Sequence, residues 1–276
     1  MLKSKNLNIV NIEDMVYITF PKLEATGKVR HAFSTRHGGV SKDHCKSMNL
    51  SFSHERGDTF ENVFENYRRI CNAIGTTTDN LVLSKQTHTN NVKVVTKEHR
   101  LTGVTKPSFS DVDGLITNQS GVALVTQYAD CTPLLFCDPI KGVIATSHAG
   151  WRGTVKLIGK VTVEKMVSEF GCEPKNIIAA IGPCIGQCCY EVDDPVFNEF
   201  KKIPFLNLND IFIAKDNGRY MLNLVEANRQ ILVHSGILPS NIDLSDICTC
   251  CNSEDMFSHR ASKGKRGNLA AIIELI

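Results

Sequence analysis

Apolar positions recur along this chain at two different periods. Over 58–74, Phe60, Val63, Phe64, Tyr67, Ile70 and Cys71 return every three or four residues. That spacing predicts an amphipathic helix, capped by Asp58 and stopped by Gly75. The same reading predicts a helix over 154–170 ended by Gly171, one opening at Asp194-Pro195, and one over 222–233. A proline is tolerated in a first helical turn, because its missing N–H would have no partner there. Short apolar runs at 81–84, 92–95, 122–127, 134–137, 143–147, 177–181 and 270–275 predict strands. Several are apolar on both faces, as strands covered on both sides are. Helices and strands alternate irregularly, so the expected class is α/β (α+β), with layered mixed sheets flanked by helices. The polar stretch 97–110, with Gly103 and Pro107, reads as a loop.

Composition narrows the partners. The chain has 276 residues, 42% hydrophobic and 22% charged, with a net charge of +2. An isoelectric point near 8.0 and no basic block argue against nucleic acid as a partner. No apolar run reaches the ~18 residues that span a bilayer, so no membrane partner is expected. The first residues carry lysine but no apolar core of a secretory signal, which predicts a cytoplasmic chain. The eleven cysteines are then expected to be reduced. There is no glycine-rich dinucleotide fingerprint and no Walker A sequence.

Three segments carry metal-capable residues at the ends of strand-like runs: Gln86-Thr87-His88, Asp130-Cys131-Thr132-Pro133 and Ser147-His148-Ala149-Gly150-Trp151-Arg152-Gly153. Two imidazoles and a thiolate suit zinc, and three protein ligands leave a fourth position for water or substrate. Spacing alone leaves open a buried cysteine and two ordinary core histidines. The glycines after His148 allow close backbone approach, and Arg152 offers a cation for an anion such as phosphate. Arg36 and His37, beside Gly38-Gly39, form a second candidate anion contact. Asp111 and Asp113 precede a strand and suit an acid, a base or a partner to a histidine.

The motifs HAFSTRHGGVS (31–41), SMNLS (47–51), QTH (86–88), DVDGL (111–115), ADCTPLLF (129–136), HAGWRGT (148–154), GPCIGQCCYEV (182–192) and FSHR (257–260) occur in order. Together they resemble the laccase-domain family, also called polyphenol oxidase or YfiH-like, whose members act as purine nucleoside phosphorylases. The resemblance implies one domain over 1–276, distantly similar to cytotoxic-necrotizing-factor cysteine hydrolases. It also implies one metal, usually zinc, at His88, Cys131 and His148; Arg36, His37, Asp113, Arg152 and Arg260 are the candidate substrate-side residues. The implied activities are phosphorolysis of adenosine, inosine, guanosine and methylthioadenosine, plus adenosine deamination. The chain departs from the family's arginine-rich terminal turn: it has His259-Arg260-Ala261 and Lys265-Arg266-Gly267-Asn268 where two further arginines are usual.

Two other chemistries compete. A cysteine hydrolase or amidase, editing for example a cell-wall precursor, would use Cys131 as nucleophile and His148 as base. A copper polyphenol oxidase needs several histidine-rich sites, and this chain has nine histidines and no His-x-His pair. Copper(II) could still bind the zinc ligands. The clusters Cys184, Cys188, Cys189 and Cys248, Cys250, Cys251 read as buried thiols near the active site in preference to a second, structural zinc. After Pro183-Cys184 the next cysteine comes after three residues, not the two of zinc nucleobase deaminases, and no Glu follows His148 at the required position.

Overall fold

The computed structural model describes residues 2–276 and contains two stacked six-stranded sheets, each mixed, with helices on both outer faces. The first runs Asn8–Ile12, Met15–Thr19, Val29–Ser34, Leu269–Leu275, Ala123–Tyr128, Leu81–Val82. The second runs Ile242–Leu244, Ile178–Ile181, Thr132–Asp138, Val143–Ala149, Gly114–Thr117, Val92–Val94.

Strand residues alternate between faces, and each face meets a different layer. Leu124, Ala271 and Ile273 of the first sheet point at Leu135, Cys137 and Ile144 of the second, forming the central core. The intervening Ala123, Val125, Ala270 and Ile272 turn outward onto Val63, Tyr67 and Ile70 of helix Phe60–Ile74. Leu134, Phe136, Val143 and Ala145 turn the other way onto Ile158, Val163, Met166 and Leu232 of helices Ile158–Phe170 and Leu224–His234. Strands buried on both faces explain the continuous apolar runs in the sequence. A fourth cluster packs helix Asp194–Lys201 over a three-stranded sheet through Val196, Phe200, Phe212 and Leu222.

Several element boundaries differ from expectation for local reasons. The first helix is capped by Thr59, whose side chain accepts from Asn62 N–H, while Asp58 accepts from Thr59 N–H and the Asn62 amide. The helix expected over 154–170 is two helices, Trp151–Val155 and Ile158–Phe170, broken where Leu157 takes φ +61°. The run 81–84 splits between two sheets, as Leu81–Val82 and Ser84–Lys85. Leu222 ends a strand, and Asn223 caps the following helix. The three N-terminal strands escaped the sequence reading. No described helix is long and apolar enough to cross a membrane.

Candidate functional site

Sheet pairing builds the site. Thr132–Asp138 and Val143–Ala149 are antiparallel neighbours with Pro133 opposite His148, so Cys131 and His148 sit at the same end of the second sheet. His148 lies inside its strand, which continues to Ala149, not just beyond it as the pattern over 143–147 implied. On the other side, Gly114 pairs with Ser147, and His148 N–H donates to the Asp113 carbonyl at 2.8 Å. His88 comes from the loop after Ser84–Lys85 and adopts φ +65°. The ligand-type atoms of His88, Cys131 and His148 lie within 4.8 Å of one another, with Cys131 Sγ 3.8 Å from His88 Nε2.

Asp113 holds two of these residues. Its side chain is wholly buried. It accepts from His148 Nδ1 at 2.8 Å and from the backbone N–H groups of Thr87, His88 and Thr89 at 3.1, 3.0 and 2.8 Å. The Thr89 hydroxyl is a fifth donor, at 2.8 Å. Burial opposes the charge on Asp113, but His148 and Thr89 outweigh it and hold the carboxyl well below its usual range. An ionised carboxylate only accepts, which puts a proton on His148 Nδ1 and makes Nε2 the ring nitrogen not engaged by Asp113. Burial also opposes ionisation of Cys131, yet His148 and His88 bring its thiol down. His148 is pushed up in turn by the Cys131 thiolate and by Asp113, against its own burial. Two imidazoles and a stabilised thiolate fit a thiophilic, nitrogen-accepting ion. Gly150 fits the same picture: a Cβ there would meet Cys131 Sγ at 2.8 Å and His88 Cδ2 at 3.0 Å.

A cavity of about 360 Å³ opens over the three residues. Its wall includes Arg56, Lys85, Gln127 and Arg266. Arg56 and Arg266 each bury an Nε–H that has no hydrogen-bond partner. Burial, then repulsion from Arg56, lowers the Arg266 guanidinium to about 10. A neighbouring cavity shares Ser51, Lys85 and Gln127 with the first and adds Phe52, Leu83 and Val104.

The other expected substrate residues lie elsewhere. Arg36 donates to the carbonyls of Lys46 and Ser253 at 3.0 and 2.7 Å and stacks over Phe257. His37 bonds Asp255 at 2.7 Å. Arg152 lies over the Trp151 ring, 4.3 Å from its centroid. Arg260 donates to the carbonyls of Cys189 and Glu191 at 2.9 and 3.3 Å. None of these four lines the cavity over Cys131. Asp113 has no exposed surface and faces histidine and backbone instead of the cavity. Of the basic terminal turn, Arg266 reaches the cavity. Arg56 and Lys85 carried no sequence signal, because each sits in an unremarkable polar stretch that only the fold turns inward.

The family described as multi-copper polyphenol oxidoreductase laccase matches residues 30–276. Purine nucleoside phosphorylase YlmD of Bacillus subtilis (strain 168) is 36% identical over 244 residues, covering 87% of this chain and 86% of that protein. Adenosine deaminase RL5, from an unknown prokaryotic organism, is 36% identical over 83% of this chain and 87% of its own. The crystal structure of hypothetical protein YfiH from Bacillus licheniformis shares the fold with a TM-score of 0.91 at 31% identity, covering 99% of this chain and 100% of that chain.

Proposed function

Because the chain belongs to the multi-copper polyphenol oxidoreductase laccase family, we propose that it is a zinc-dependent purine nucleoside phosphorylase with an accessory adenosine deaminase activity. The observation that carries this reading is the pairing, in one cavity, of the His88, Cys131, His148 cluster with two arginines whose buried Nε–H groups lack partners. Unpartnered buried guanidinium donors are costly unless a ligand completes them, and phosphate is the fitting acceptor.

In this reading Arg56 and Arg266 hold phosphate, and the nucleoside lies between them and the chamber bearing Phe52. A phosphate oxygen attacks C1′ as the glycosidic bond breaks, giving ribose 1-phosphate and a free purine that takes up a proton. The arginines fix the nucleophile in line and neutralise its charge. Gln86 and Gln127 stiffen the floor: Gln86 donates to the Gln127 carbonyl at 2.9 Å and accepts its N–H at 2.7 Å. In deamination a water adds to C6 of adenine, ammonia leaves, and inosine forms. His88, Cys131 and His148 would hold zinc, which supplies Lewis acidity and draws the pKa of a water in its open position toward about 7. Asp113 keeps the His148 proton on Nδ1, away from the cavity.

A genuine multi-copper oxidase fits these residues poorly. Among the described residues, His88, Cys131 and His148 form the one histidine-bearing ligand cluster. The hydrolase reading has one observation in its favour, the line Asp113–His148–Cys131, which also suits a nucleophile, base and orienting group. Incubating zinc-replete protein with adenosine, with and without phosphate, tests the proposal. Adenine and ribose 1-phosphate formed only with phosphate, and inosine without it, are expected. Absence of turnover on every purine nucleoside would overturn it.

A further inference from the structure

We infer that Cys188, Cys189, Cys248 and Cys251 form a second metal site, a tetrathiolate centre for zinc, separate from the nucleoside cavity. The four sulfurs lie within 4.8 Å of one another, and Cys251 Sγ is 3.4 Å from both Cys188 Sγ and Cys189 Sγ. A zinc ion bonded to four thiolates at about 2.3 Å would set its sulfur–sulfur edges at about 3.8 Å. A disulfide would bring two sulfurs to about 2.05 Å, and none of the eleven cysteines is paired.

The backbone around these sulfurs is arranged for negative charge. Gly186 N–H donates to Cys248 Sγ at 3.1 Å, and Cys251 N–H points at the same sulfur at 3.5 Å. Gly186 eases the approach, since a Cβ there would sit 3.2 Å from Cys188 Sγ and 3.0 Å from Cys248 Cβ.

The fold explains which cysteines take part. A parallel bridge between Cys184 and Cys248, with Thr249 N–H donating to the Cys184 carbonyl at 2.9 Å, lays the loop after Ile178–Ile181 beside the loop after Ile242–Leu244. Cys184 itself turns into the core and is 1% exposed, while Cys188 and Cys251 remain exposed at the surface. Cys248 and Cys251 supply a Cys-x-x-Cys pair from one loop, and Cys188 and Cys189 an adjacent pair from the other. The second of these loops holds Asp130, next to Cys131, through the Thr249 hydroxyl at 2.6 Å and the Arg260 N–H at 2.7 Å, and Ile185 N–H of the first loop donates to the Asp130 carbonyl at 2.9 Å. An ion across them would stiffen the support of the Cys131 loop.

Metal stoichiometry tests this without reference to turnover. Full-length protein loaded with zinc should hold two equivalents, one lost in C188S/C251S and the other in H88A/H148A. Cobalt(II) in place of zinc should give thiolate-to-metal charge transfer that survives in H88A/H148A and weakens strongly in C188S/C251S. Should C188S/C251S misfold, the wild type still decides: Cys188 and Cys251 should alkylate about tenfold more slowly in zinc-loaded than in chelator-treated protein. Equal alkylation rates, equal zinc content in wild type and C188S/C251S, iron in place of zinc, or a native Cys188–Cys251 disulfide would each overturn the inference. Failure of nucleoside turnover leaves these readouts unmoved.

Discussion

Asp113 binds His148 twice: its carbonyl takes the His148 backbone N–H at 2.8 Å, and its carboxylate takes the His148 Nδ1 proton at 2.8 Å. The first contact is strand pairing and the second is ring orientation, so a sheet register becomes a fixed tautomer at the cavity. The same carboxylate collects three consecutive amides of the His88 loop. An Asn at 113 offers one acceptor oxygen and an amide that cannot accept the ring proton. D113N should bind zinc about 10–100-fold more weakly. Competition with a chromophoric chelator measures this, and unchanged affinity would remove Asp113 from the positioning role.

Cys131 separates the metal and nucleophile readings. As a zinc ligand it should resist iodoacetamide until the metal is stripped, and C131S should lose metal together with turnover. As a free nucleophile it would be the fastest-reacting thiol in metal-replete protein, and C131S would keep its zinc. Peptide mapping after timed alkylation distinguishes the two, and the ligand outcome is expected.

The arginine pair should act on phosphate. R266A removes one of the two arginines with a buried, unpartnered Nε–H and should raise KM for phosphate about 10–100-fold, with a smaller effect on deamination. R266K keeps a charge but not the planar fork, so it should restore only part of the loss. Initial rates at varied phosphate check this, and an unchanged KM would place phosphate elsewhere.

Gly150 offers a local probe. Its φ of −62° and ψ of 168° are ordinary for alanine, so G150A should fold. Its new methyl would press on Cys131 Sγ and His88 Cδ2 at 2.8 and 3.0 Å. Zinc affinity and turnover should both fall while the melting temperature changes little, as calorimetry and elemental analysis would show.

Acid stability should depend on His31, remote from the cavity. Its Nε2 accepts Phe20 N–H at 2.9 Å, and burial lowers its pKa to about 4 against 6.5 in the unfolded chain. Between those values the unfolded chain binds more protons. The contribution is therefore complete above pH 6.5 and is lost as pH falls toward 4, by about 3 kcal/mol. H31Q retains an acceptor without titrating, and its urea midpoint should be flatter across this range.

Local patterning was enough to mark the strands, the helices and the metal-capable residues. Short continuous apolar runs such as 134–137 and 270–275 predict strands covered on both faces, and the 3.6-residue spacing over 58–74 predicts a helix with one buried stripe. His88, Cys131 and His148 stood out because residue types that bind metal fell beside turns at strand ends. Which of these meet depended on how the strands and loops pair in space. It set His148 inside its strand, placed Asp113 behind it by pairing Gly114 with Ser147, and withdrew Arg36, His37, Arg152 and Arg260 from the cavity in favour of Arg56 and Arg266. It also selected four of six clustered cysteines and left Cys184 in the core and Cys250 outside the tetrad. Those choices rest on sheet register and loop bridging between residues far apart in the chain, and local spacing carries no information about either.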